Sequence, residues 1–156
     1  RRRIFDYPDL RLDNAGSWLR LRDEGDKVTL SFKKRLGIKA QGESDEGMEE
    51  HETVVADFDV TGSILENVGL VEKFYQENRR VRWAKDDIEF DIEYWPMLEP
   101  YIEIEAPSED RVLVGAKLLG FDPADQKIGT NFQMYEAQGL DLRDYQRITF
   151  TELVKK

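Results

Sequence analysis

Apolar and polar residues alternate with period two along this chain, in short runs cut by Gly, Pro, Asp and Asn, and no other feature narrows the fold as much. In a strand every second side chain points the same way, so each run has one apolar and one polar face. Strands are predicted at 2–7, 17–23, 27–36, 50–56, 74–85, 88–94 and 101–105. Glu24-Gly25-Asp26 and Asp86-Asp87 form hairpin turns between neighbours. Helices are predicted at 60–68 and 109–119, each closed by a glycine (Gly69, Gly120) suited to a left-handed C-terminal cap, with Ser108 as N-cap of the second. A weaker helix covers 131–138 before Gly139, and 145–150 alternates again. Segments 52–70 and 101–121 both read strand, acidic bend, helix, glycine, hydrophobic residue, which hints at a duplicated unit.

The faces of these strands carry the chemistry. Trp18, Arg20 and Arg22 lie opposite Leu19 and Leu21, and Thr29, Ser31, Lys33 and Arg35 lie opposite Val28, Leu30 and Phe32. Glu89, Asp91 and Glu93 oppose Ile88, Phe90 and Ile92, while Tyr101, Glu103 and Glu105 oppose Ile102 and Ile104. For a single strand, alternation ordinarily means an apolar face on a core and a charged face in water. Here two strands carry cations and two carry carboxylates, each behind a clean aliphatic row that a helix can cover. A mainly antiparallel α+β barrel with helices outside and charges inside satisfies all four.

The 156 residues suit one domain, 1–156. A 36% charged, 40% hydrophobic composition with recurrent alternation is that of a globular chain. The formal net charge of −10 opposes general adsorption to nucleic acid or anionic membrane, although a polyanion still fits a local basic pocket. Without cysteine there is no disulfide framework, thiolate nucleophile or Cys-based zinc site, which points to a reducing, cytoplasmic setting. Arg1-Arg2-Arg3 leads directly into Ile4-Phe5-Asp6 and not into a signal-peptide core, and its lack of a methionine suggests a start inside a longer chain. The Gly- and acid-rich stretch 37–50 is expected to be a mobile loop, the acidic run 43–52 a solvated one, and His51 an exposed strand-edge residue without a role. Trp18, Trp83 and Trp95 are expected to pack the barrel wall.

Carboxylates at i and i+2 on one strand face sit roughly 7 Å apart, so Glu103 and Glu105 with Asp91 of a neighbouring strand could hold Mg²⁺ or Mn²⁺ through oxygens and waters. Arg20 and Arg22 present forked donors that match phosphate oxygens, and Lys33 and Arg80 add charge nearby. Such an interior suits a metal-complexed triphosphate.

The stretches RRRIFDYPDLRLDNAGSWLRLRDEGDKVTLSFKK and DIEFDIEYWPMLEPYIEIEAPSED, with DLRDYQRITF near the end, resemble the CYTH family of triphosphate tunnel metalloenzymes, most closely the class IV adenylate cyclase-like bacterial members. The resemblance implies an eight-stranded antiparallel tunnel with helices packed outside. It implies triphosphate-binding cations at Arg20, Arg22, Lys33 and Arg80, and metal ligands at Asp91, Glu103 and Glu105, with Glu52 as a further tunnel carboxylate. The ligand would be ATP, thiamine triphosphate or tripolyphosphate with Mg²⁺ or Mn²⁺, and a homodimer is compatible with it. Two reactions stay open: cyclisation of ATP to cyclic AMP and pyrophosphate, or triphosphate hydrolysis.

Members of the family open on a strand carrying E-x-E-x-K, which is not found here, and Asn78-Arg79-Arg80 stands where K-x-R is common. These departures keep a second reading in view, a non-catalytic nucleotide- or polyphosphate-binding module. A third is an acidic barrel with no ligand.

Overall fold

The computed structural model describes residues 1–36, 47–122 and 131–156, so most of the expected loop at 37–50 and of the acidic run lies outside the described residues. Among the described residues, ten strands and four α-helices form an α+β fold with mostly antiparallel sheets, in which Val71–Gln76 pairs parallel with Tyr145–Ile148. The chain divides into two compact units, one of Arg1–Gln76 with Gln146–Ile148 and Glu152–Lys156, the other of Glu77–Tyr145 with Thr149–Thr151.

The first unit is built on a seven-stranded sheet ordered β10-β9-β5-β1-β2-β3-β4. Its strands are β1 (Arg2–Asp6), β2 (Ser17–Asp23), β3 (Val28–Arg35), β4 (Met48–Val55), β5 (Val71–Gln76), β9 (Tyr145–Ile148) and β10 (Leu153–Lys155). The β2–β3 hairpin turns where expected, at Gly25, whose φ of 95° lies in the left-handed region that glycine enters without penalty. Helix α2 (Phe58–Asn67) begins two residues before its predicted start because Asp57 caps it, accepting from the Val60 amide at 2.7 Å. That start places Phe58 in a cluster with Phe5, Leu21 and Leu70, flanked by Leu19, Leu30, Val55 and Tyr75. Each buried side chain of this kind is worth roughly 1.5–3 kcal/mol. The aliphatic side of β2 and β3 is thereby covered, leaving the opposite side to the polar residues.

Two elements of this unit escaped the sequence pattern. Helix α1 (Arg11–Asn14) is one turn, held by the buried carboxylate of Asp6, which accepts from the amides of Leu12 and Asp13 at 3.0 Å each. Strand β10 has three residues and too little periodicity to read. The predicted loop 37–50 also ends earlier than expected, since Met48 already pairs with Arg35.

The second unit holds a three-stranded antiparallel sheet, β6 (Arg79–Lys85), β7 (Ile88–Tyr94) and β8 (Tyr101–Glu105), with helices α3 (Glu109–Leu118) and α4 (Asn131–Glu136). The single strand predicted at 74–85 is two: β5 ends at Gln76 and β6 begins at Arg79. Asp86 turns the β6–β7 hairpin at a φ of 57°. Helix α3 packs on β7 and β8 through Gly115, where an added Cβ would stand 2.9 Å from Ile104 Cγ2 and 3.1 Å from Ile88 Cγ2. Ser108 occupies the N-cap position of α3 without donating or accepting a side-chain cap bond. Trp95 is buried, but Trp83, expected in the wall, is 55% exposed on the face of β6 opposite Arg82. His51 is exposed on β4 beside Glu49, as expected of an edge residue.

The duplicated pattern has a structural counterpart. After α2, Gly69 and Leu70 donate back to Glu66 and Leu65, and after α3, Gly120 and Phe121 donate back to Lys117 and Ala116, all at 3.0–3.1 Å. Both helices close with the same glycine-centred motif. No helix among the described residues is long and apolar enough to cross a membrane.

Candidate functional site

On the first unit, the register of β2, β3 and β4 lines up three rungs on the polar face. Trp18 pairs with Lys33 and Lys33 with Glu50; Arg20 pairs with Ser31 and Ser31 with Glu52; Arg22 pairs with Thr29 and Thr29 with Val54. The predicted cations Arg20, Arg22 and Lys33 therefore stand together, and their side chains retain only 16%, 18% and 18% exposure. Lys33 is paired, with Nζ 2.8 Å from Glu50. The two arginines are not tightly held: Arg20 Nη2 lies 3.8 Å from Glu52 and Arg22 Nε 4.0 Å from Glu24. Burial, then the neighbouring Arg22 charge, holds the Arg20 guanidinium below its usual pKa, against the pull of Glu50 and Glu52. Beside β2, Arg2 on β1 donates through Nε and Nη2 to Gln76 Oε1 at 2.9 and 2.6 Å.

Polar atoms on this face are left over. Among the described residues, Arg20 Nε, Ser31 Oγ and Thr29 Oγ1 are buried without a hydrogen-bond partner. An unsatisfied buried donor or acceptor costs about 1–3 kcal/mol, so such atoms are rare unless something else occupies them.

On the second unit, the register sets Arg80 opposite Glu93, Arg82 opposite Asp91, and Asp91 opposite Glu103. Asp91, Glu93 and Glu103 offer carboxylate oxygens that lie within 4.8 Å of one another. Asp91 and Glu93 are each only 1% exposed, whereas the Glu103 side chain keeps 44% of its surface. Burial, then the charges of Glu105 and Glu93, raises the Glu103 carboxyl above the ordinary range, with Arg80 opposing. Arg82 grips Asp91 through two bonds, and Arg80 reaches Asp91 at 3.1 Å, Glu103 at 3.6 Å and Glu93 in close contact. Asn78 donates to the other Glu93 oxygen at 2.9 Å.

Of the carboxylates read from the sequence as metal ligands, Asp91 and Glu103 are brought together. Glu105 is exposed and pairs across the sheet with Glu89, and Glu52 lies on the first unit opposite Ser31. Glu93 takes the third place in the cluster. Its position two residues after Asp91 was a signal for the same face but not for burial. Neither Ser31 nor Thr29 stood out in the sequence, because a hydroxyl on a strand face is ordinary until its partners are known.

A sequence model of the CYTH domain matches residues 2–126. The chain belongs to the CYTH family. No curated protein matches it by sequence. Solved structures similar to this CYTH chain include a conserved hypothetical protein from Pyrococcus furiosus, at 18% identity and a TM-score of 0.62 over 85% of this chain and 80% of that one. A protein from Vibrio parahaemolyticus described as a candidate adenylate cyclase is 15% identical, with a TM-score of 0.66 over 86% and 78% of the two chains. A Hippeastrum protein described as a candidate adenylyl cyclase with a dominant triphosphatase activity is 21% identical, with a TM-score of 0.56 over 92% and 83%. At these identities the likeness is one of fold. The CYTH acidic cluster of Asp91, Glu93 and Glu103 has the donor chemistry for a divalent ion, three hard oxygen ligands of which two are buried.

Proposed function

We propose that this chain binds a triphosphate together with Mg²⁺ or Mn²⁺ and converts it, by hydrolysis or, with ATP, by cyclisation to cyclic AMP and pyrophosphate. The observation that carries the reading is the set of uncommitted donors on the cationic face. Among the described residues, Arg20 and Arg22 are largely buried yet have no carboxylate within hydrogen-bonding distance, and Arg20 Nε is unpartnered. Buried guanidiniums with only loose partners are costly, and a phosphate chain with several charge-assisted acceptors is the ligand that offsets the cost.

In this reading Arg20, Arg22 and Lys33 bind phosphoryl oxygens, and Asp91, Glu93 and Glu103 hold the metal. The ion, when bound, supplies positive charge that neutralises phosphate oxygens and withdraws electron density from the phosphorus. Arg80 lies among the same three carboxylates, and with a cation held there its guanidinium would be freer to meet phosphate. Asn78 keeps Glu93 oriented throughout. Glu105 and Glu52 serve as outer carboxylates that adjust the charge of Glu103 and Arg20 respectively. One domain, 1–156, and an eight-stranded tunnel with helices outside belong to the same proposal, as the resemblance to the CYTH family implies.

Arg80 and Arg82 already neutralise the buried carboxylates, and this favours a second reading, a module that binds nucleotide or polyphosphate without turnover. Incubation of the full-length protein with ATP, thiamine triphosphate and tripolyphosphate plus Mn²⁺, followed by product analysis, decides between them. Cyclic AMP or released phosphate supports conversion; binding of a triphosphate with no product from any of the three leaves the module.

A further inference from the structure

We propose that Ser31 and Thr29 are ligand-binding residues which, with Arg20, form a three-donor cradle for one phosphoryl group on the polar face of β2 and β3. The inference rests on the triphosphate reading above and adds to it the residues that seat and orient one phosphate.

Ser31 is fully buried and Thr29 is 1% exposed, and neither hydroxyl has a hydrogen-bond partner among the described residues. On the other side of β3, Val28 and Leu30 pack on the hydrophobic core. If the polar face merely had to be filled, Ala and Val would fill it at lower cost, since an apolar group of the same shape leaves nothing unsatisfied. Two unpaired hydroxyls retained at i and i+2, with an unpaired guanidinium Nε across the ladder from one of them, are not explained by packing.

The spacing fits the ligand. Same-face side chains two apart on a strand are separated by roughly 7 Å, and directly opposed cross-strand pairs by roughly 5 Å. Donors arranged in this way can each engage a different oxygen of a tetrahedral group, whose oxygens accept several charge-assisted bonds apiece. The long side chains in the same rungs, Arg20 and Arg22, are held to Glu52 and Glu24 only at 3.8 and 4.0 Å, so they can lift to admit phosphate. The hydroxyls bring no charge of their own. Their contribution is direction: they fix where a phosphoryl group already drawn in by Arg20, Arg22 and Lys33 comes to rest.

The test uses Ser31→Ala, Thr29→Val and Thr29→Ser in the full chain, with tripolyphosphate and Mn²⁺ as the probe. Binding is read by calorimetric titration and folding by chemical denaturation without ligand. Ser31→Ala and Thr29→Val are expected to leave the midpoint of unfolding unchanged or raised, while each weakens binding roughly tenfold, the loss of one hydrogen bond to a charged acceptor. Thr29→Ser, which retains the hydroxyl, keeps wild-type affinity. Affinities within about twofold of wild type for both hydroxyl deletions, whatever their stability, overturn the proposal. So does an equal loss in Thr29→Ser and Thr29→Val, because Thr29→Ser keeps the hydroxyl and the effect would then belong to side-chain shape and not to the hydrogen bond. If these variants bind normally while Arg20→Gln with Arg22→Gln does not, the cradle alone fails; if wild type takes up no tripolyphosphate, the triphosphate reading fails with it.

Discussion

Arg82 holds Asp91 from both sides of the carboxylate, Nε to Oδ1 at 2.7 Å and Nη2 to Oδ2 at 2.6 Å, although Asp91 is 1% exposed and Arg82 is a largely open residue on the facing strand. The bonds to Asp91, ahead of the charges of Asp91 and Glu89, push the guanidinium above its usual pKa. A buried carboxylate thus owes much of its compensation to one half-exposed cation. Arg82→Ala is expected to destabilise the fold by about 1.5–3 kcal/mol, because the contact to Arg80 does not replace the two bonds lost. Mn²⁺ should recover part of that loss in the variant and raise wild-type stability less; paired denaturation curves with and without the ion measure it.

Arg20→Ala with Arg22→Ala should weaken triphosphate binding by more than about 1.5 kcal/mol for each charge-assisted contact removed. Stability should change little or rise, since the pair is buried, mutually repelling and loosely partnered. Titration with tripolyphosphate decides it, and unchanged affinity would point to an acidic barrel without this ligand.

Two helix glycines should respond differently to alanine. At Gly115 the new methyl meets Ile104 Cγ2, Ile88 Cγ2 and Phe90 Cε1 at 2.9–3.3 Å, all within a packed core, so Gly115→Ala is expected to cost about 1–3 kcal/mol despite the better helix former. At Gly62 the methyl meets only the end of the Arg3 side chain, which can swing aside. Gly62→Ala should therefore lie within about 1 kcal/mol of wild type, with helix propensity offsetting the disturbed Arg3 pairs to Glu66 and Glu72. Thermal denaturation of the two variants gives the contrast.

Glu103 sets a pH dependence whose sign follows from its raised pKa. Its pKa is higher folded than unfolded, so the folded state favours the protonated form. The residue is therefore least unfavourable to stability below its unfolded-state value, and it becomes more unfavourable as pH rises through the raised folded value. Glu103→Gln should match wild type at acidic pH and gain on it as pH rises through and above the carboxylate range. Denaturation at a series of pH values without metal checks this, and a difference that shrinks with rising pH would contradict it.

Local chemistry made much of the fold legible. The bounds of β2, β7 and β8 are those predicted from the sequence, because alternation and turn residues act over a few positions and each strand has one apolar face to bury. Glycines 69, 120 and 139 close helices with φ of 100°, 80° and 78°, since only a residue without a Cβ enters that region freely. The break between β5 and β6 was hidden because the pattern runs on through Glu77 and Asn78 while the backbone leaves one sheet and joins another. Helix α1 was hidden because its capping carboxylate, Asp6, lies on the preceding strand.

By itself the sequence determined which side chains share a face: the 2.0-residue period of a strand makes Arg20 and Arg22, Thr29 and Ser31, and Asp91 and Glu93 neighbours whatever the rest of the chain does. Tertiary structure decided which of them have partners. Strand order and register placed Arg82 on Asp91 and Asn78 on Glu93, leaving Glu105 in solvent and the hydroxyls of Ser31 and Thr29 buried and unpaired. Burial and hydrogen bonding depend on what packs across from a residue, from segments far away in the chain, and a periodicity of two carries no information about that.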